Sequence, residues 1–425
     1  MPSRTFRLLL HLPAVRALLE ACGPAECHLV GGILRDRALG MASHDVDAVV
    51  AGGGREIAAR LAEALPARLV FLGGKEFAAY RLVGEDVTVD LWDREATTLH
   101  QDLARRDFTV NAFALDARSG ELTDPFGGLP DLQRRLLRAT TPESFTGDPL
   151  RVLRLPRLLL RLPGFAADPE TLTLARASAA GLARVAAERV RDELAILFAH
   201  PEAHRGLALL VALDVYPGLW LGRPGEPGRP GGAIAELEAL LERVREMREV
   251  DTAAAEAVDA AAARLAASFS HLPSLEGGGP LQHLERFRDA GFLTRQEAAR
   301  IALLLGWEEL PASGLGQRRF LHRTGPLWAT VVASVGARAT GRAALEPWRS
   351  ALPGLLDLAR REGEALFDPP RLLSGSDVRE LLEIPAGPEV GKALAAVRQA
   401  QVDGRVRTRE EAVELLEGRT RTSMD

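Results

Sequence analysis

The sequence predicts an α+β protein: a small α/β head carrying a mixed sheet, followed by an extended all-α neck, body and tail. Three observations predict it. Strand-like stretches are confined to roughly the first third of the 425 residues. The turn cluster Asp124-Pro125-Phe126-Gly127-Gly128 closes that part. Beyond it the chain is rich in Ala, Leu and Arg, with helical periodicity and no repeat of fixed period. The expected regions are head 1–140, neck 141–215, body 216–325 and tail 326–425.

In chain order, residues 26–31 are a short apolar run ending in Gly31-Gly32, a strand feeding a turn. Ile33–Leu39 follows as a helix stopped by Gly40. Asp45–Ala51 reads as a second strand and Arg55–Leu65 as an amphipathic helix. Arg68–Leu72, Phe77–Val83 and Val87–Trp92 read as three more strands, and Asn111–Asp116 adds a short apolar stretch. Later, Leu150–Leu162 and Glu188–Phe198 have helical periodicity. Gly222–Gly232, built from Gly, Pro, Arg and one Glu, reads as a surface loop or linker.

Apolar residues make up 47% of the chain, enough for several cores, and no run of roughly 18 apolar residues lacks a charge, so no membrane span is expected. Met1–Leu12 sets Arg4, Arg7 and His11 among leucines, but the apolar run is short and no small-residue cleavage site follows. A cytoplasmic location is expected. Cys22 and Cys27 are too few for a disulfide scaffold or a four-cysteine zinc site and read as buried free thiols. A net charge of −5 does not announce a nucleic-acid partner, although net charge does not report the local field. Lys75 and Lys392 are the only lysines, so nearly every cation is an arginine, which suits bidentate phosphate contacts.

The chemistry concentrates at His44-Asp45-Val46-Asp47-Ala48-Val49-Val50. Strand side chains at i and i+2 share a face, so Asp45 and Asp47 aim together while Val46 turns into apolar packing. Two ionised carboxylates on one face repel unless a cation lies between them, and hard oxygen ligands suit Mg²⁺. Upstream, Gly31-Gly32 opens a helix where the backbone can approach a phosphate closely, with Arg35 in its first turn. Asp90 on the later strand is a candidate third carboxylate, whereas Asp86 and Asp93 are expected to be exposed.

These residues resemble a known family. Val30-Gly31-Gly32-Ile33-Leu34-Arg35-Asp36 followed by Asp45-x-Asp47 resembles motif A of the class II (bacterial-type) CCA-adding enzymes and bacterial poly(A) polymerases, of the polymerase-beta-like nucleotidyltransferase superfamily. Arg105-Arg106-Asp107-Phe108-Thr109-Val110-Asn111-Ala112 resembles motif B. Asp148-Pro149-Leu150-Arg151-Val152-Leu153-Arg154 with Arg157 resembles motif D, and Glu188-Arg189-Val190-Arg191-Asp192-Glu193-Leu194 resembles motif E. The order is the family's, over about residues 26–200.

The resemblance implies a nucleotidyltransferase head in which Asp45 and Asp47 are catalytic and hold magnesium. Gly31, Gly32 and Arg35 would face the triphosphate. Arg106 would bind phosphate, with Asp107 and Asn111 near the ribose. Asp148 and Arg151 would read the base, and Arg154 and Arg157 would line the same pocket. A carboxylate only accepts and a guanidinium only donates. That pair matches the amino group and ring nitrogen that cytosine and adenine present side by side, and leaves uracil or guanine unpaired. The implied substrates are CTP, with ATP beside it, and the acceptor arm and 3′ end of tRNA, gripped by shape and phosphate contacts. Gln317–Arg323 and Arg405–Arg409 are the candidate basic patches for that grip.

Two departures stand out. Gly147 occupies the place where many relatives carry Glu, and the segment Leu91–Ala104 is shorter than in enzymes that add the full CCA. The short segment is similar to that of relatives adding only CC, which leave the final A to a separate enzyme. The only His-Asp dipeptide is His44-Asp45, so no appended HD phosphohydrolase is expected. A poly(A) polymerase shares these motifs and is the alternative, which a long basic tail would favour. Arg419–Asp425 is short and mixed in charge. A non-catalytic RNA-binding protein on a degenerate head would require loss of Asp45 or Asp47.

Overall fold

The computed structural model describes residues 2–43, 45–72, 78–94, 97–216, 219, 230–272 and 279–422. His44, Lys75, most of the Gly222–Gly232 stretch and Ser423–Asp425 lie outside the described residues. The chain divides into two compact units: Met1–Leu194 with Leu209–Gly225, and Ala195–Ala208 with Glu226–Asp425.

The first unit is built on one seven-stranded sheet. Its strands are β1 (Cys27–Val30), β2 (Asp45–Val50), β3 (Arg68–Phe71), β4 (Ala78–Val83), β5 (Thr88–Asp93), β6 (Ala114–Asp116) and β7 (Leu122–Thr123). The order is β3-β4-β5-β2-β1-β6-β7, with β2 and β5 parallel and the other neighbours antiparallel. The sheet is therefore mixed, as expected.

Helices α1 (Pro2–Arg7), α2 (Pro13–Cys22), α3 (Gly32–Ala38), α4 (Gly54–Ala64), α5 (Leu99–Ala104), α6 (Gly128–Arg134), α7 (Ser144–Gly147), α8 (Arg151–Arg161), α9 (Pro169–Ser178) and α10 (Ala187–Ala199) follow in order. The leucine-rich start is helical and folded into the head, with Phe6 buried edge-on to Phe113 at 6.1 Å. Strand pairing also continues past the expected boundary: Leu136–Leu137 pairs in parallel with Ala166–Ala167. Cys22 and Cys27 are free and buried.

The site's position follows from β2. All four residues of β1 are buried beside it, as a central strand requires. On β2, Val46, Ala48 and Val50 are buried and turn to one face, with Asp45, Asp47 and Val49 on the other. Val49 joins a small core with Val30, Leu103 and Ala114, against which Trp92, Leu99 and Phe126 pack. One residue pair further along, that same face carries Asp47 beside Asp90, and the apolar cover ends there.

Asp93 was expected to be exposed and is not: it is 8% exposed and accepts from the Gly52 and Gly54 backbone amides at 2.9 and 2.8 Å. The cause is spacing. Three residues separate it from Asp90, so it turns to the opposite face and satisfies the start of α4.

The second unit is helical among the described residues. Trp328–Arg338 is apolar around its circumference and buried from Trp328 to Ala337, as expected of a bundle's central helix. Gly375–Leu382, Pro388–Val402 and Arg409–Thr422 share a core of Leu373, Val378, Val390, Val397, Ala400, Val406, Ala412 and Leu416. The two candidate basic patches meet at Asp403, which accepts from Arg319 at 2.8 Å and from Arg405 at 3.2 Å. Arg318 is bound to the Val402 carbonyl at 2.7 Å, and Arg409 pairs with Asp377 at 2.8 Å. No helix is long and apolar enough to cross a membrane among the described residues.

Candidate active site

Asp45 and Asp47 open into a cleft of about 1360 Å³ in the first unit, lined also by Gly31, Gly32, Arg35, Arg106, Asp107, Asn111, Asp148, Arg151, Arg154 and Arg157. Every residue the sequence placed at the site reaches it. Asp45 is exposed at the rim and Asp47 is half-buried on the floor.

The turn after β1 shapes this floor. Gly31 adopts φ 73°, and a Cβ there would stand 2.7 Å from Asp47 Oδ2 and 3.3 Å from an Arg106 nitrogen. Only glycine admits both the backbone angle and the carboxylate. The Gly32 amide donates to Asp47 Oδ2 at 3.2 Å. Burial pushes the Asp47 carboxyl above its ordinary range. Arg106 and the Gly32 amide pull it down, while Asp90 and Asp45 push it up. A cation between the carboxylates would relieve that cost.

The donor set fits a hard divalent ion. Among the described residues no three His, Cys, Asp or Glu side chains converge into a metal-binding group. Two carboxylates nevertheless suffice for an ion that takes its remaining oxygens from triphosphate and water. Asp90 lies beside Asp47 in register, but both of its oxygens are taken by Arg81, at 2.8 and 2.7 Å.

Around the cleft runs a connected set of polar contacts. Arg35 is 4% exposed, donates to Asp36 at 2.8 Å and to Asn111 at 2.7 Å, and so braces the wall. Asn111 donates in turn to Asp107 at 2.9 Å. Arg106 pairs with Asp102 at 3.1 Å. On α8, Arg154 pairs with Asp107 at 3.1 Å, Arg157 with Glu193 at 3.0 Å and Arg161 with Asp36 at 2.7 Å, whereas Arg151 donates to backbone carbonyls instead. The carboxylate partners come from three distant segments and tie α8 to the head, through Asp107 and Asp36, and to α10, through Glu193.

Asp148 and Arg151 do not face each other across a helix turn as i, i+3 partners. Asp148 precedes α8; it accepts from the Leu150 amide at 3.3 Å and from Arg189 at 2.8 Å. Arg151 donates to the backbone carbonyls of Ser144 at 2.9 Å, Arg106 at 3.3 Å, and Arg105. Gly147 has open space where a Cβ would stand. The residues that sequence reasoning did not single out are Arg81, Arg161 and Arg189. Arg161 was within reach, four residues beyond Arg157 on the same helix face.

Two same-face aspartates on a strand of a mixed sheet, beneath a glycine backbone and walled by arginines, suit a site for a divalent cation and a polyphosphate. Residues 27–138 match the Poly A polymerase head domain, and residues 164–220 match the family described as the probable RNA- and SrmB-binding site of polymerase A. The chain is 30% identical to a CC-adding tRNA nucleotidyltransferase of Geobacter sulfurreducens, over 94% of each chain. It is 32% identical to an A-adding tRNA nucleotidyltransferase of Deinococcus radiodurans, covering 92% of this chain and 94% of that one. The Bacillus stearothermophilus CCA-adding enzyme, solved with CTP, superposes with a TM-score of 0.71 at 25% identity, over 99% of this chain and 98% of that one. The chain belongs to the class II tRNA nucleotidyltransferase and poly(A) polymerase family. Enzymes of this superfamily depend in general on divalent metal.

Proposed function

We propose that this protein extends the 3′ end of tRNA without a nucleic-acid template, taking C from CTP and, in the broader reading, A from ATP. The observation that carries this is the pairing of Asp45 and Asp47 on one face of β2, across a single cleft from Asp148 and Arg151. The full-length relatives that act on tRNA support the substrate.

The residues divide the work. Asp45 and Asp47 would hold Mg²⁺, which would supply charge stabilisation for a phosphoryl displacement. Arg106 receives the triphosphate over the Gly31-Gly32 backbone, whose Gly32 amide holds Asp47 in place. Arg35, buried in its bonds to Asp36 and Asn111, fixes the wall beneath it. Asp107 and Asn111 stand at the ribose. Arg154 and Arg157 hold Asp107 and Glu193 in place. Asp148 accepts from the amino group of the base, displacing Arg189, and Arg151 supplies the matching donor. Head 1–140 and neck 141–215 carry this chemistry, while body 216–325 and tail 326–425 grip the acceptor arm.

The narrower reading, C addition alone, is favoured by the short link after the sheet: β5 ends at Asp93 and α5 begins at Leu99. A separate A-adding enzyme would then complete the end. The test uses tRNA transcripts ending before, within and one nucleotide short of CCA, with CTP and ATP supplied separately. Incorporation of C is the expected result, and C but never A would establish C addition alone. Long A tails on unrelated RNA would make the protein a poly(A) polymerase. Asp148→Ala is expected to relax the choice between CTP and UTP by on the order of tenfold or more while changing triphosphate affinity less. Unchanged selectivity would reduce Asp148 to a cap on Leu150.

A further inference from the structure

We propose that Arg81 is a built-in counter-ion that keeps Asp90 out of the metal-binding group until a triphosphate draws the guanidinium away. This rests on the reading of Asp45 and Asp47 as metal ligands.

The sheet register carries the argument. Asp47 on β2 lies directly opposite Asp90 on β5, and Asp90 lies directly opposite Arg81 on β4. Directly opposed residues of neighbouring strands share a face. One row across three strands therefore reads carboxylate, carboxylate, guanidinium. Arg81 closes on Asp90 as a fork, Nε to Oδ1 at 2.8 Å and one terminal nitrogen to Oδ2 at 2.7 Å. Both oxygens that would face an ion beside Asp47 are thereby occupied by a cation of the chain itself. A planar fork onto a carboxylate is the strong form of this contact.

The lock is placed to open. The Arg81 side chain is 47% exposed, against 18% for Asp90, and both line the cleft that holds Gly31 and Arg106. A phosphate offers a guanidinium the same bidentate geometry as a carboxylate. Triphosphate entering the cleft gives Arg81 a second partner and releases Asp90 towards the cation. Nucleotide and metal then strengthen each other's binding, and the coupling runs through this side chain.

The test is Mn²⁺ titration of the full chain without nucleotide, followed by electron paramagnetic resonance. The comparison is the parent protein with Asp47→Asn, Arg81→Ala, Arg81→Lys, Asp90→Asn and the Arg81→Ala/Asp90→Asn double variant. Arg81→Ala is expected to tighten Mn²⁺ binding by on the order of tenfold, because removing the guanidinium leaves a third free carboxylate at the site. Arg81→Lys, which keeps the charge but loses the fork, is expected between the two. Asp90→Asn alone, which leaves the guanidinium unneutralised beside Asp47, is expected to bind Mn²⁺ no more tightly than the parent, and in the double variant the gain disappears. A non-hydrolysable CTP analogue is expected to tighten Mn²⁺ in the parent more than in Arg81→Ala. If Arg81→Ala matches the parent, or its gain survives in the double variant, the lock is refuted while the metal site stands. If Asp47→Asn binds Mn²⁺ as the parent does, the metal reading itself falls, and the lock with it.

Discussion

Asp47→Ala is expected to lower nucleotide incorporation into tRNA on the order of a thousandfold or more, the scale on which phosphoryl transfer responds to loss of a charge-stabilising element. The variant loses one of two carboxylates on the β2 face and leaves the Gly32 amide without its acceptor. Asp47→Asn separates catalysis from folding. Burial raises the Asp47 carboxyl above its ordinary value of 3.8, so the folded state holds the proton more tightly than the unfolded chain. Its favourable contribution is complete below that value and is lost as pH rises through the raised folded one. At neutral pH without metal the ionised group is a cost, which the neutral amide removes. Asp47→Asn should therefore melt about 2 °C or more higher than the parent in chelator at pH 7, and lose the parent's stabilisation by added Mn²⁺. A variant that melts no higher, or retains incorporation near the parental rate, would show that this carboxylate is neither strained nor a ligand.

The part of this site that rests on local pattern was legible in the sequence. Period-two alternation put Asp45 and Asp47 on one face, and the Gly31-Gly32 pair marked the turn that the Gly31 angle of 73° requires. Helix α3 runs from Gly32 to Ala38 against an expected Ile33–Leu39, and α8 from Arg151 to Arg161 against Leu150–Leu162, because glycine, proline and apolar spacing act within a few residues. The burial of Asp93 was missed, although its odd offset from Asp90 on a strand already sets it on the other face. What the sequence hides is pairing between distant segments. The Arg81–Asp90 contact depends on the register of β4 against β5, turned through residues 84–87. Arg154, Arg157 and Arg161 find carboxylates at 107, 193 and 36. The bond from Arg189 to Asp148 spans 41 residues. The helical start was missed because short helices draw their stability from tertiary packing, here Phe6 against Phe113.

Asp107→Ala is expected to destabilise the first unit by about 3–5 kcal/mol, the cost of stripping the partner from a desolvated ion pair. Asp107 is 4% exposed, accepts from the Phe108 amide at 2.8 Å and from Asn111 at 2.9 Å, and forms an ion pair with Arg154 at 3.1 Å. Burial alone would push its carboxyl up, but Arg154, the Asn111 side chain and the Phe108 amide outweigh burial and draw it down to about 2. A lowered folded value contributes stability above the unfolded value of 3.8, and that stability is lost as pH falls through about 2. At about 1.4 kcal/mol per pH unit the group is worth roughly 2–3 kcal/mol at neutral pH. Urea unfolding of the parent should therefore weaken across this acid window, and Asp107→Asn should lose that limb while keeping part of the hydrogen bonding. Arg154→Ala added to Asp107→Ala should cost less than the two single changes together, since each alone leaves a charge without its partner. Simple additivity would mean the two side chains act separately. The contacts of Arg35, Asn111, Asp107 and Arg154 would then be independent bonds rather than one brace holding the cleft wall to α8.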